Sequence, residues 1–210
     1  MKRIFSALFL ISSFTFFSVL ACPLSDLGIC RIVESYATYL GSGAIQLGIF
    51  SAAMFFLWKK DLRSTLEPLG FPGNLKTDIA YTILCLASIF LILLVIGAVS
   101  IIGGFNDQQN VSDKIAGLPL AILALAALFA PVSEELFFRG LLSPRFGAVL
   151  SSLVFGIVHF TYGSAVEMLG AFFIGIVLAL TFRKSKSITP CILAHMIYNI
   201  IAIFVMRTYT

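Results

Sequence analysis

The sequence predicts an all-α protein that crosses a membrane six to seven times. Hydrophobic residues make up 60% of the 210 residues and charged residues 11%, whereas a soluble domain has roughly 45–50% and about 25%. The mean hydropathy of +1.04 agrees with a chain that lies largely in lipid. Apolar segments near the roughly 20 residues that a bilayer requires recur along the whole chain, separated by short loops. We therefore predict a single transmembrane domain over residues 23–210 and no separate soluble domain.

The first apolar segment, residues 4–20, follows Lys2 and Arg3 and ends at Ala21 and Cys22. Residues 1–22 are therefore predicted to be either a signal peptide or a first transmembrane helix. Residues 19–22 also resemble a bacterial lipobox, which would leave a lipidated Cys22 at the mature N-terminus. If the compartment oxidises thiols, Cys22 and Cys30 are candidates for a disulfide. The sequence alone does not decide between a signal peptide, a first transmembrane helix and a lipidated Cys22.

Six further apolar segments follow, each near the length of a membrane span. They are predicted at residues 39–58, 79–102, 115–138, 146–160, 166–182 and 188–206.

The charges of the loops predict how these spans are oriented. Basic residues cluster at 59–63, at Arg139 and Arg145, and at 183–186, whereas the loop at 103–107 is rich in Gly, Asn and Asp. Because cytoplasmic loops carry an excess of Lys and Arg, the basic clusters are placed on the cytoplasmic side. This orientation also accounts for the net charge of +4. We therefore predict a multi-pass protein of the cell membrane, with the lipid bilayer as a partner and no nucleic acid.

Three charged residues in an apolar setting mark the candidate functional site. Glu134, Glu135 and Arg139 lie at the end of the apolar segment 115–138, and the chain's two histidines, His159 and His195, lie in later apolar segments. A charge near the centre of a transmembrane helix costs about 2.5–3.5 kcal/mol, so such residues usually face a protein interior and mark function. An imidazole that titrates near neutral pH suits acid–base chemistry or metal binding.

Loop positions place these groups at similar depths. If residues 143–145 form the inner turn between two antiparallel helices, Glu134 lies about 15 Å and His159 about 20 Å from that turn. His195 lies about 10 Å from the same side if its helix begins near residue 188. We therefore predict a polar chamber in the cytoplasmic half of the membrane.

Helical spacing suggests how the groups divide the work. Glu135 and Arg139 are four residues apart and are predicted to form an ion pair, whereas Glu134 points about 100° away and stays available to act on water. His195 and Asn199 are also four apart, as an oxyanion site requires. The competing interpretations are a boundary ion pair, a packing histidine and an asparagine that joins two helices.

Other polar residues receive simpler interpretations. Glu167 is expected to be an interfacial carboxylate near the outer end of its span. Cys85 and Cys191 are expected to be small packing residues, because no Cys pair has metal-site spacing.

The motifs Glu134-Glu135-x-x-x-Arg139, Phe155-x-x-x-His159 and His195-x-x-x-Asn199, in this order on successive late spans, resemble the signatures of the CPBP family. This family contains CAAX prenyl proteases and bacteriocin-processing proteins, and the resemblance covers residues 115–206.

The resemblance implies hydrolysis of a peptide bond within the membrane, with a peptide or a membrane protein as the substrate. By position, Glu134 would activate water with help from His159, and His195 with Asn199 would stabilise the oxyanion. Glu135 and Arg139 would hold the site, and Phe155 would pack behind the imidazole.

The resemblance leaves the cofactor and the exact function open. The site has either no cofactor or a zinc ion held by His159, His195 and Glu134, although no HExxH motif is present. Other open interpretations of the chamber are a non-catalytic membrane partner, a bacteriocin self-immunity protein and a proton-coupled transporter. The sequence also leaves open the substrate, whether it is prenylated, and the oligomeric state.

Overall fold

The computed structural model describes residues 28–105 and 107–208, with side chains from residue 41 onward. Helices joined by short loops make up this part of the chain, which contains no strand. The α-helices are α1 (Gly28–Leu57), α2 (Leu62–Leu66), α3 (Leu75–Ile102), α4 (Gln108–Ala116), α5 (Leu120–Ala124), α6 (Ala130–Glu135), α7 (Ser143–Val158), α8 (Ala165–Ser185) and α9 (Thr189–Thr208). Two π-helical segments, Leu125–Phe129 and Leu136–Leu142, flank α6, and two 3₁₀ turns, Glu67–Leu69 and His159–Tyr162, follow α2 and α7.

The number of spans differs from the prediction, although the all-α membrane architecture is confirmed. Within the described residues, four helical runs are long and apolar enough to cross a bilayer, or five if the bent pair Gly41–Leu57 and Leu62–Leu69 forms one span. The predicted six to seven spans are therefore not confirmed. Residues 1–22 and the candidate Cys22–Cys30 pairing lie outside the residues whose side chains are described.

One of the four runs, Leu120–Tyr162, reverses direction at Gly147. Gly147 has φ 85° and ψ 162°, a backbone conformation that is essentially restricted to glycine. The Ser151 hydroxyl donates to the carbonyl of Phe138 at 3.0 Å, and the rings of Phe138 and Phe155 lie 5.0 Å apart. In a straight helix these partners would be roughly 20–25 Å apart. The chain therefore forms an antiparallel hairpin at this glycine.

The predicted turn at residues 143–145 is therefore wrong by a few positions. Pro144 does not break the chain's helical course because it occupies the first turn of α7, where a missing N–H is tolerated. Measured from Gly147, Glu134 and His159 lie about 20 and 18 Å along their helices, so their depths match more closely than predicted.

Small residues bring α7 and α8 close together along the second arm of this hairpin. A Cβ added at Gly175 of α8 would lie 2.9 Å from the Ser152 Cβ of α7, and one at Gly156 would lie 2.8 Å from the Met168 carbonyl. Real Cβ atoms essentially never lie this close to another heavy atom. The two glycines therefore allow α7 and α8 to pack closely at these positions.

The packing of α3 against α8 and α9 forms one of the apolar clusters of the described residues. Its buried members include Cys85, Ile89, Leu178, Cys191 and Ala194. Both cysteines are free thiols in this cluster, as expected for packing residues. The opposite face of α3 exposes large apolar side chains such as Ile83 and Leu94, which in a bilayer contact lipid.

Hydrogen bonds between loops show which loops lie at the same end of the bundle. At one end, the Ile188 N–H donates to the Leu69 carbonyl at 2.8 Å, which joins the loops that carry the basic clusters. At the other end, the Asp107 carboxylate accepts hydrogen bonds from the Ser164 hydroxyl at 2.8 Å and the Ala165 N–H at 2.6 Å. The basic loops therefore share one end of the bundle and the Asp107 loop lies at the other, as the charge pattern predicts.

The Asp107 carboxylate has a lowered pKa. Partial burial alone would raise the pKa, but the hydrogen bonds from Ser164 and from the backbone of Ala165 and Val166 outweigh it. The carboxylate thereby anchors its loop at the positive N-terminal end of α8.

Candidate active site

Glu134 and Glu135 lie on α6 between the two π-helical segments. The N–H of Ala130 donates to the Leu125 carbonyl, and the N–H of Ser143 donates to the Phe138 carbonyl, each five residues back. Such widened turns are rare and occur frequently at functional sites. Each π-helical segment rotates the side chains that follow it relative to a regular α-helix. Regular helical spacing, as counted from the sequence, does not predict this rotation.

The predicted ion pair between Glu135 and Arg139 is present and fully buried. Arg139 Nη1 lies 3.0 Å from Glu135 Oε1, and the side chains are 1% and 0% exposed. The two groups are not aligned as a hydrogen bond, so charge attraction holds the pair. The guanidinium also lies 4.6 Å from the ring centre of Phe155 and donates from Nη2 to the Gly175 carbonyl at 3.4 Å. The pair is therefore enclosed by protein rather than exposed on the surface of the bundle.

His195 is the third member of this buried group. Its Nδ1 lies 2.8 Å from Glu135 Oε1, and its Nε2 lies 3.9 Å from Glu134 Oε2. Because an ionised carboxylate only accepts hydrogen bonds, Nδ1 carries the proton shared with Glu135. The second ring nitrogen is thereby directed towards Glu134. Glu135 therefore fixes the orientation of His195.

The position of Glu134 corrects one expectation from the sequence. The sequence predicted a carboxylate without a partner, but its Oε1 accepts a hydrogen bond from Gln46 Nε2 at 2.9 Å. Its Oε2 faces His195 across 3.9 Å, too far for a direct hydrogen bond but suited to a bridging water. Gln46 belongs to α1 and was not singled out in the sequence. An amide within an otherwise apolar span is the only signal that could have identified it.

His159 and Phe155 form a second part of the site. The His159 Nδ1 lies 2.7 Å from the Phe155 carbonyl, and because a carbonyl only accepts, this nitrogen is the donor. In the neutral ring the other nitrogen, Nε2, is then a proton acceptor. The Phe155 ring packs 4.7 Å from the His159 ring and 5.9 Å from the His195 ring, while Tyr162 stacks on His159 at 5.9 Å. Phe155 therefore contacts both imidazoles, rather than one as expected.

Asn199 has a partner that differs from the expected oxyanion arrangement. Its Nδ2 donates to the Ala126 carbonyl at 3.0 Å. In the π-helical register that carbonyl would pair with the N–H of residue 131, which is a proline and has none. Asn199 therefore supplies the missing donor and joins α9 to the first π-helical segment. This contact uses one of its two amide protons and matches the alternative interpretation of an asparagine that joins two helices.

These residues line a common cavity of about 330 Å³. Glu134, His159, His195 and Asn199 all contribute to its wall, and so does Glu167, which was expected to be merely interfacial. The cavity wall also includes residues at the Asp107 end of the bundle: Val111, Ile115, Thr161, Tyr162 and Met206. It therefore extends beyond the predicted cytoplasmic half, towards the end that the charge pattern places outside.

The site residues do not form a ready metal centre. Among the described residues, no three His, Cys, Asp or Glu side chains are arranged to share a metal ion. The candidate set His159, His195 and Glu134 therefore does not fit zinc in this arrangement, and we derive no step through a metal.

Fold and site together define a membrane helix bundle in which a buried acid, Glu135, and a partly buried acid, Glu134, lie beside the imidazole of His195 and share a cavity with His159. Residues 116–201 match the Rce1-like family model, described as type II CAAX prenyl endopeptidase Rce1-like. The match covers less than half of the chain and confirms the resemblance to the CAAX protease family that the three motifs predicted. It supports a membrane protease of the CAAX endopeptidase type. No curated protein and no solved structure matches the chain.

Proposed function

We propose that this protein is a cell-membrane endopeptidase that hydrolyses a peptide bond of a membrane-associated substrate with water activated by Glu134. The observation that carries the proposal is the 3.9 Å gap between Glu134 Oε2 and His195 Nε2 in the wall of the cavity. A water molecule in contact with both atoms would lie beside a base and a hydrogen-bonding partner. The match over residues 116–201 supports the reaction class.

In the proposed mechanism, Glu134 takes a proton from the water while the water oxygen attacks the carbonyl carbon of the substrate. The C–N bond then breaks, and the proton on Glu134 passes to the leaving amine. His159 is assigned to orient the water, because its Nδ1 donates to Phe155 and leaves Nε2 as an acceptor.

We assign His195 and Asn199 to the oxyanion of the tetrahedral intermediate, with His195 Nε2 moving from the water to the oxyanion as the water oxygen bonds to the carbonyl carbon. With Nδ1 committed to Glu135, His195 can donate from Nε2 only as an imidazolium. The second amide proton of Asn199 supplies the other donor, since the first is bonded to Ala126. Donors held in this way before the reaction stabilise the developing charge without reorganisation.

The test is cleavage by the purified protein in proteoliposomes, with hydrophobic peptides, prenylated and unprenylated, and membrane-protein segments as candidate substrates. New termini are detected by mass spectrometry. Glu134→Gln should lower turnover by about 10²–10⁴-fold, the usual contribution of a general base. Glu67→Gln is the matched control, because Glu67 is an exposed residue of the loop after α2. Full turnover by Glu134→Gln would contradict the assignment.

Two further measurements separate the alternatives. Turnover that survives strong chelators would support a metal-independent reaction, and loss that is restored by zinc would support the metal alternative. Tight substrate binding by wild type without any new terminus would instead favour a non-catalytic partner or self-immunity protein.

A further inference from the structure

Gln46 forms the one described contact between α1 and the carboxylate of Glu134. Its Nε2 donates to Glu134 Oε1 at 2.9 Å, and its Oε1 accepts from the Ser133 hydroxyl. α1 packs along α6 and the second π-helical segment, so the amide reaches the acid from a neighbouring helix. Gln46 lies far outside the segment 116–201 that matches the family.

The hydrogen-bond pattern determines which end of the amide faces Glu134. A carboxylate oxygen only accepts, so the NH₂ group has to point to Glu134 and the amide oxygen to Ser133. The Ser133 side chain is fully buried, and its hydroxyl also lies 2.9 Å from the Ala130 carbonyl. Ser133 therefore holds the oxygen end of the Gln46 amide, on the side away from Glu134.

This contact distinguishes the two oxygens of Glu134. Oε1 is occupied by Gln46, whereas Oε2 faces His195 and the cavity. A carboxylate held at one oxygen cannot rotate freely about its terminal bond, so the other oxygen keeps a constant direction. A base displaced by about 1 Å can lose on the order of 10²-fold in rate.

We propose that Gln46 is a positioning residue of the active site, which holds Glu134 Oε1 so that Oε2 serves as the base, with Ser133 fixing the orientation of the amide. The proposal rests on the proposed function of Glu134. It assigns to α1, outside the matched segment, a direct part in the site.

Gln46→Met tests the proposal because methionine keeps the length and shape of glutamine without its donor. The variant should lower kcat by ~10- to 100-fold and change KM less than kcat, because the lost donor binds Glu134 Oε1, although Gln46 also lines the cavity. Leu47→Met is the matched control, since this neighbouring side chain is 46% exposed on α1 and should leave kcat unchanged. Wild-type kcat in Gln46→Met, or a change in KM alone, would overturn the proposal.

Ser133→Ala should have a smaller effect than Gln46→Met, and the double variant should be no slower than Gln46→Met alone. Residues that act through one shared contact are not additive, whereas independent packing defects are. Additive losses would contradict a common action through the amide.

Infrared spectroscopy provides a measurement that does not depend on turnover. The carboxylate stretch of Glu134, identified as the band lost in Glu134→Gln, should shift in Gln46→Met and not in Leu47→Met. An unshifted band would overturn the positioning role even if the protein cleaves peptides. A shifted band in a protein without any peptidase activity would uphold the contact and contradict the proposed function.

Discussion

Replacement of Arg139 by methionine should destabilise the protein strongly. Arg139 is 1% exposed and lies 3.0 Å from Glu135, which is 0% exposed. Removing one partner of a buried ion pair costs about 3–5 kcal/mol, because the charges that remain in the interior are no longer balanced. Methionine replaces the alkyl part of the side chain, so the loss reflects mainly the charge and its stacking on Phe155.

The expected fall in melting temperature follows from this free energy. A domain of roughly 150–250 residues loses about 2–4 °C per kcal/mol, so Arg139→Met should melt about 6–20 °C below wild type. A thiol-reactive dye can follow the melting in detergent once Cys22 and Cys30 are replaced by serine, because the two remaining thiols, Cys85 and Cys191, are buried in the folded state. Arg145→Met is the matched control, since this exposed arginine contacts only the Leu141 carbonyl among the described hydrogen bonds.

A second substitution separates charge from packing. In the double variant Glu135→Gln with Arg139→Met, both charges are absent, and the Gln oxygen can still accept from His195 Nδ1. The double variant should therefore melt above Arg139→Met alone. If Arg139→Met melts within about 2 °C of wild type, or if the double variant is less stable than the single one, the ion pair does not stabilise the fold through its charges.

Two further predictions concern the loops at opposite ends of the bundle. Gly147→Ala should lower the free energy of unfolding by about 1–3 kcal/mol, since the φ of 85° and ψ of 162° at this residue are essentially restricted to glycine. Gly97→Ala is the control, because an added Cβ has nothing within 4 Å, and it should not lower the melting temperature in the same assay. For Asp107 the folded-state pKa is lowered below its ordinary value of 3.8, so its stabilisation is present above that pH and is lost as the pH falls through the lower folded value. D107N should therefore melt below wild type at about pH 7, and the difference should shrink below about pH 4; a gap that stays constant down to about pH 2 would contradict the role of this carboxylate.

The parts of the structure that follow from periodicity could be predicted from the sequence. Apolar segments give the all-α class, and the four-residue spacing gives the pair of Glu135 with Arg139, because both depend on regular geometry. The turn at Gly147 was missed because prolines and glycines both occur nearby, and only the backbone angles decide between them. The catalytic roles of the site residues remain predictions.

The contacts of Asn199 and Gln46 could not be predicted because they depend on local irregularities and on packing between distant segments. Pro131 shifts the register of its helix and exposes the Ala126 carbonyl, which Asn199 then satisfies. A proline within a membrane span implies an unsatisfied carbonyl near by, but the sequence does not show which helix supplies the donor. Gln46 carries no periodic signal at all, because one amide in a span does not define a face.

Charge balance is consistent with the close approach of Glu135, Arg139 and His195 to one another and to the partly buried Glu134. Ionised Glu134 and Glu135 contribute two negative charges, and Arg139 contributes one positive charge. If His195 is an imidazolium, the four groups are neutral in sum, and each carboxylate has a cationic group within 4 Å. Neutral sets of this kind avoid much of the penalty for burying a lone charge. The imidazolium that the proposed oxyanion contact requires is therefore also the form that neutralises the two acids.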